Sequence, residues 1–322
     1  MKKVLENFYL QFQDAQKLTS GIKIQNQKID NILICGVGGS AFVGDVLKSL
    51  IGDEINVIVN RDYTIPKFIL PEKSLLFVIS YSGNTEEAIY CFKEALKRKF
   101  GIIAISSNGL LEKLAKKNKI DFIKVPSGIQ PRNAMGYLLI PMIKILEDSK
   151  IIPKQGIESL PQIIKSKEKL IQKRGEAIAE ILYQKIPLIY SSERLKCLSY
   201  GWKTRLNENS KIHAFSHQFP ELNHNELVGY TKKIAPFFTI IIKDKDDFSR
   251  IQKRYQITKR LINSLGGECL ILNTNGKSLL ERIVLNLHLA DWVSYFLALK
   301  YGINPEPVEI IQKLKKSLKE TR

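Results

Sequence analysis

Residues 31–40 have the sequence NILICGVGGS, a short apolar run that ends in closely spaced glycines and a serine. A continuous run of isoleucine and leucine of this length is typical of a strand that is buried on both faces of a parallel sheet. The glycines permit a tight turn, and the apolar residues after Ser40 predict a helix at about 41–51. A strand, a glycine turn and a helix in this order predict an α/β fold.

The same alternation recurs along the chain. In the first half, apolar runs predict strands at 55–59, 75–80, 101–106 and 121–125, with helices at 86–98 and 109–117. In the second half, we expect strands at 186–190, 211–215, 235–243 and 268–272, with helices at 193–206, 247–265 and 277–300. Short strands that alternate with helices predict parallel sheets sandwiched between helices. The two halves are similar in pattern, which suggests an internal duplication.

The chain of 322 residues is long enough for two domains of ordinary size. A helical stretch at about 137–182, broken near Pro153 and at Pro161, separates the two alternations. We therefore expect an N-terminal domain with a leading helix at 1–150, a helical connector at 151–182 and a C-terminal domain at 183–322.

Composition and charge argue against several classes of protein. Lys and Arg number 50 against 32 Asp and Glu, which gives a formal net charge of +18. The basic runs lack the interleaved aromatic residues that stack on bases, so we expect no nucleic-acid partner. No apolar run approaches the roughly 20 residues of a membrane span, so we expect no membrane partner. The 4 cysteines show no CxxC spacing, which favours a reducing, cytoplasmic compartment over a disulfide framework.

Two polar turns follow strands of the first half. One is the Gly36–Ser40 turn, and the other places Ser80, Ser82 and Thr85 before a predicted helix. Ligands of parallel sheets bind at the carboxyl ends of the strands, where hydroxyls and the free N–H groups of a helix start suit a phosphate. A dinucleotide site is the alternative for the first turn, but the acidic residue that would hold a ribose is missing after strand 55–59. Simple N-capping is the alternative for the second turn.

A set of motifs across both halves carries a family resemblance. The motifs are Gly38-Gly39-Ser40, Ser80-Tyr81-Ser82-Gly83-Asn84-Thr85-Glu86-Glu87, Pro131-Arg132, Asn207-Glu208-Asn209 and Glu221-Leu222-Asn223-His224-Asn225-Glu226. In this order they resemble the bifunctional phosphoglucose/phosphomannose isomerases, a prokaryotic branch of the sugar-isomerase (SIS) domain proteins. The resemblance implies two SIS-type subdomains, each a parallel β-sheet sandwiched between helices. It also implies a homodimer that acts on a sugar phosphate without a cofactor or a metal.

The resemblance also implies roles for individual residues. Aldose–ketose isomerisation moves a proton between C1 and C2 through an enediolate, and it needs a base, a cation for the oxyanion and groups that open the ring. Glu208 is expected to be the base and Arg132 the cation. His224, contributed by the partner subunit, and Lys300 are expected to open the ring. The residues expected to bind the phosphate are Gly38, Gly39, Ser40, Ser80, Ser82 and Thr85.

The sequence leaves the substrate partly open. The implied reaction interconverts glucose 6-phosphate and fructose 6-phosphate. The family often carries a Thr in the last helix that is linked to accepting the mannose epimer, and Val293 stands at that place. A non-catalytic sugar-phosphate sensor and a phosphosugar isomerase of other specificity are the alternatives; a sensor would lack Glu208 and His224.

The remaining histidines raise the question of a metal. His213 and His217 are four residues apart, a spacing that binds zinc when both lie on one helix. The segment 211–215 is predicted to be a strand, so we expect this pair to be structural. We expect no metal site.

Overall fold

The computed structural model describes residues 1–19, 21–24 and 29–320. It is an α/β protein with two parallel sheets flanked by helices, which confirms the predicted fold class. The chain divides into two compact units. We call Lys3–Glu168 with Asn275–Leu285 the N-terminal unit, and Met1–Lys2, Lys169–Thr274 and Asn286–Arg322 the C-terminal unit. The domain boundaries expected at 150 and 183 stay a prediction.

The N-terminal unit is built on a five-stranded parallel sheet. Its strands are β1 (Asn31–Cys35), β2 (Asn56–Asn60), β3 (Ser74–Ile79), β4 (Gly101–Ser106) and β5 (Asp121–Lys124). They lie in the order β2-β1-β3-β4-β5. The register pairs Cys35 with Asn60 on one side and with Val78 on the other. The carboxyl ends of β1 and β3 therefore lie side by side.

Helices lie before, between and after these strands, and those predicted at 41–51, 86–98 and 109–117 are present. The helices are α1 (Lys2–Glu6), α2 (Phe8–Ala15), α3 (Gly39–Ile51), α4 (Glu86–Lys97), α5 (Gly109–Lys117), α6 (Met135–Asp148) and the start of α7 (Leu160–Leu182). The leading helix is thus divided into α1 and α2, and α2 packs on α6. All six residues of β3 are buried, as expected for a central strand with helices on its faces.

The C-terminal unit repeats this arrangement with fewer strands. Its strands are β6 (Ile186–Ser192), β7 (Phe215–Phe219), β8 (Phe237–Lys243) and β9 (Glu268–Asn273). Its helices are the end of α7, α8 (Lys196–Asn209), α9 (Ser249–Ser264), most of α10 (Leu279–Lys300) and α11 (Glu309–Glu320). The strand order β7-β6-β8-β9 matches the order β2-β1-β3-β4 of the first sheet. This common topology is what an internal duplication would produce.

Two boundaries predicted in the second half are wrong. The strand expected at 211–215 is β7 at Phe215–Phe219, and the helix expected at 193–206 extends to Asn209. The physical reason is Lys211, whose φ of 58° ends the helix and is incompatible with the start of a strand. Glu208, expected in a turn after the helix, therefore lies in the last turn of α8.

Within the residues that the structure describes, no helix combines the length and the apolar character needed to cross a bilayer.

Candidate active site

The two polar turns of the N-terminal unit meet at the carboxyl ends of β1 and β3. The chain leaves these neighbouring strands toward opposite sides of the sheet, which opens a crevice between them where ligands bind in such folds. The backbone N–H of Tyr81 donates a hydrogen bond to Ser40 Oγ at 3.1 Å, so the two turns are in direct contact. Because α3 starts at Gly39, its first N–H groups point into this crevice.

Hydrogen bonds within the second turn fix its shape. Ser80 Oγ donates to Thr85 Oγ1 at 2.8 Å, and the N–H of Thr85 donates to Ser80 Oγ at 3.3 Å. Ser80 is fully buried, whereas Ser82 is exposed and can reach a ligand directly. Gly83 has a φ of 68°, and a Cβ atom there would lie 1.6 Å from the Asn108 carbonyl oxygen, so only glycine fits. The turn is therefore rigid before any ligand binds.

Arg132 lies beside the first turn. It belongs to the short 3-10 turn Pro131–Asn133, and only 9% of its surface is exposed. A Cβ atom on Gly39 would lie 2.7 Å from the Pro131 carbonyl oxygen and 2.8 Å from the Arg132 nitrogen. The missing side chain of Gly39 thus lets the Arg132 backbone approach the start of α3. The N-terminal unit therefore brings the two turns that carry the six predicted phosphate ligands close to the backbone of Arg132.

Glu208 lies in the C-terminal unit, partly exposed at the end of α8. The residues around it are fixed by their side chains. Asn207 Nδ2 donates to the Ile212 carbonyl oxygen at 2.8 Å, and Asn209 Nδ2 donates to Ser294 Oγ on α10 at 2.9 Å. The direction in which Glu208 projects from α8 is therefore set by contacts on both sides of it.

His224 is the last residue of a 3-10 turn at Glu221–His224, and it is exposed. Leu222 of this turn is buried in the core of the unit. Asn223 Nδ2 donates to Thr258 Oγ1 at 2.9 Å, and Arg254 Nη1 donates to Asn223 Oδ1 at 3.1 Å. The loop is thus anchored on α9 while the imidazole of His224 faces outward.

Lys300 is the last residue of α10. Its Nζ pairs with a carboxylate oxygen of Glu180 and lies 4.8 Å from the centre of the Tyr183 ring. These contacts hold the ammonium group at the surface of the C-terminal unit. Its role in ring opening stays a prediction.

The matching crevice of the second sheet is filled by carboxylates. Asp247, in the turn that follows β8, accepts hydrogen bonds from Ser192 Oγ at 2.6 Å and from Tyr255 OH at 2.7 Å. Arg194 Nη2 lies 2.7 Å from a carboxylate oxygen of Asp244. Burial, and then the nearby Asp247 charge, raise the pKa of Tyr255, which keeps its phenol protonated. Two buried carboxylates repel an anion, so this crevice is less suited to a phosphate than the crevice of the N-terminal sheet.

The histidine pair of the second half is not on a helix. His217 lies in β7, and its Nδ1 accepts a hydrogen bond from the Gln218 N–H at 2.7 Å. His213 precedes that strand. Among the described residues, no group of three or more His, Cys, Asp or Glu side chains is arranged to hold a metal ion.

Comparison with known proteins agrees with this arrangement of motifs. A family profile described as "Bacterial phospho-glucose isomerase C-terminal SIS domain" matches residues 171–318. A bifunctional phosphoglucose/phosphomannose isomerase of Aquifex aeolicus is 36% identical over 324 residues, covering 98% of each chain. The chain belongs to the bifunctional phosphoglucose/phosphomannose isomerase family. A relative of the same name from Thermoplasma volcanium is 36% identical over 295 residues, covering 90% of this chain and 92% of its own.

A solved structure shares the fold of this chain. A hypothetical protein from Thermus thermophilus superimposes with a TM-score of 0.76 at 12% identity, covering 99% of this chain and 90% of its own. At that identity the match shows a shared fold alone. Membership of the phosphoglucose/phosphomannose isomerase family therefore rests on the sequence relatives.

Sequence reasoning missed residues that support the family's motifs here. Ser107, after β4, donates from its Oγ to the Tyr81 carbonyl oxygen at 2.7 Å and so stabilises the second turn. The pair Ser106-Ser107 at the end of a predicted strand was an available signal. Ser294 could not be found in this way, because its contact with Asn209 spans 85 residues of sequence.

Proposed function

We propose that the chain interconverts glucose 6-phosphate and mannose 6-phosphate with fructose 6-phosphate. Family membership along nearly the whole chain supports this reaction. The two aldoses differ only in configuration at C2, so both give the same enediolate once the C2 proton is removed. One observation carries the proposal. The chain has both a hydroxyl-lined crevice and the family motifs that contain Glu208 and His224. The four free cysteines suit the cytoplasm as its location.

Binding of the substrate's phosphate group positions the sugar. The N–H groups of Gly38 and Gly39 and the hydroxyls of Ser40, Ser82 and Thr85 surround the phosphate, while Ser80 orients Thr85. These donors are uncharged. They therefore hold the phosphate dianion without adding a positive charge near the sugar carbons that react. Binding energy from this remote group orients C1 and C2 for reaction.

Proton transfer at C1 and C2 is assigned to Glu208. After His224 and Lys300 have opened the ring, the carboxylate removes the proton from one carbon and returns it to the other. The negative charge that develops on oxygen meets the guanidinium of Arg132, which keeps its charge at any working pH. The scarcely exposed position of Arg132 strengthens this interaction, because little water competes for it.

We assign His224 to the active site of a partner subunit in a homodimer. The imidazole is exposed on an anchored loop, and the same loop region carries Val228 and Ile234 with 67% and 78% of their surface exposed. Exposed apolar side chains around a fixed polar residue are typical of a protein interface. A second copy of the chain that covers these residues would receive His224.

Mixing two inactive variants tests both the residues and the dimer. E208Q and H224A should each lose most activity in a coupled assay with glucose 6-phosphate and with mannose 6-phosphate. After the subunits are exchanged, half of the dimers are mixed, and each mixed dimer has one intact site. Activity should recover to about a quarter of the parent value. If activity does not recover, His224 does not act in trans; if neither variant loses activity, the proposed residues are wrong.

A further inference from the structure

Five non-glycine residues of the described chain have a left-handed backbone, and all five follow helices. They are Lys99, Lys119, Lys150, Gln184 and Lys211, each two residues beyond the end of α4, α5, α6, α7 or α8. Glycine is the usual residue there, and another residue costs about 1 kcal/mol. A lysine at such a position is therefore a candidate for a residue whose side chain has a function.

Lys211 has such a role. Its Nζ donates hydrogen bonds to the carbonyl oxygens of Glu208, of Pro305 at 3.4 Å and of Pro307 at 2.7 Å. The Glu208 carbonyl is among the last of α8, which lack partners within the helix. A single ammonium group thus ties the backbone of Glu208 to the segment that precedes α11. It also places a cation where the helix dipole is negative.

The opposite side of the same turn is held by buried groups. Ser210 Oγ donates to the Ser294 carbonyl oxygen at 2.8 Å, and Asn209 Nδ2 donates to Ser294 Oγ at 2.9 Å. All three residues are fully buried. The inner side of the turn is therefore fixed by α10, and the outer side is fixed by Lys211.

We propose that Lys211 is a positioning residue for the reaction, because it fixes the backbone from which the carboxylate of Glu208 projects. The proposal rests on the proposed role of Glu208 as the base. Without the ammonium group the last turn of α8 is held on one side only, and the carboxylate samples more directions. In fewer of these orientations does the carboxylate contact C1 and C2 of the substrate, so kcat falls. Binding of the substrate's phosphate group does not change, so KM is unchanged.

The variant K211G separates this role from stability. Glycine adopts the left-handed backbone without strain, so the fold is retained while the three hydrogen bonds are lost. K119G is the matched control, because it makes the same exchange in the same backbone conformation at the end of α5. K211R keeps a cation with several donors.

We expect kcat of K211G to fall about tenfold with KM within about twofold of the parent, whereas K119G keeps both values. K211R should restore at least half of kcat, and K211G should remain folded at the assay temperature in a thermal unfolding measurement. A kcat for K211G within twofold of the parent, an equal fall in K119G, or a change in KM alone would overturn the proposal. If K211G does not fold, K211M, which has no donor, decides by the same criteria with K119M as its control.

E208Q is measured beside these variants. If it keeps full activity, the proposed role of Glu208 fails, and positioning fails with it. If E208Q is inactive while K211G has normal kcat, only the positioning role of Lys211 fails.

Discussion

Replacing Gly39 with alanine should damage catalysis while the protein still folds. The new Cβ atom would lie 2.7 Å from the Pro131 carbonyl oxygen, while ordinary contact begins at 3.4 Å, so the Pro131–Arg132 backbone must retreat by about 0.7 Å. Such overlap costs about 1–3 kcal/mol. The gain in helix propensity, about 1 kcal/mol at the start of α3, offsets part of this cost. The guanidinium of Arg132 moves with its backbone, away from the oxyanion that we propose it stabilises.

A displacement of this size reduces kcat/KM by about 10- to 100-fold. The assay is formation of glucose 6-phosphate from fructose 6-phosphate, coupled to a dehydrogenase, with thermal unfolding measured on the same samples. G44A is the matched control, since the atoms nearest to its Cβ would be side-chain atoms of Ile34 and Val59, both at 3.0 Å, which can shift. Normal kcat/KM in G39A would refute the idea that this glycine sets the position of Arg132.

Three further outcomes are expected. S80A leaves Thr85 without its 2.8 Å hydrogen-bond donor, so kcat/KM should fall about tenfold, measured with fructose 6-phosphate; an unchanged value would remove Ser80 from the phosphate site. R132K should lower kcat about 10- to 100-fold in the same assay, because an ammonium group cannot reproduce the planar guanidinium; full activity would contradict its role. Burial raises the pKa of Cys269 to about 12 from an ordinary 9.0, so the folded state keeps a proton that the unfolded state loses. Stability should therefore fall as pH rises above 9, by about 1.4 kcal/mol at pH 10. C269S should show a smaller loss in urea unfolding, and an equal loss would refute the assignment.

The first half of the chain was predictable from sequence because its signals are local. Each buried strand is a continuous apolar run, and each polar turn follows its strand directly, as in the segment 31–40. Parallel strands place their carboxyl ends at one edge, so the meeting of Ser40 with the Ser80 turn follows from the order of elements. The contact between Gly39 and the Pro131 turn does not follow, since it joins residues far apart in sequence.

The second half shows where local signals fail. The segment 211–215 alternates apolar and polar residues like a strand, yet the strand is Phe215–Phe219, which carries Ser216, His217 and Gln218 at its centre. The left-handed backbone of Lys211 displaces it, and that conformation is stabilised by hydrogen bonds to residues 305 and 307. Such long-range contacts outweigh strand propensity, which is weak and depends on context.

The role of Glu208 as the base is tested by E208Q, which keeps the shape of the side chain and removes its basicity. The measurement pairs turnover of fructose 6-phosphate with the dissociation constant of the same sugar phosphate, measured by calorimetry on the folded variant. We expect a loss of about 10²- to 10⁴-fold in kcat with the dissociation constant within about threefold of the parent. Retained turnover, or loss of binding in place of turnover, would contradict it.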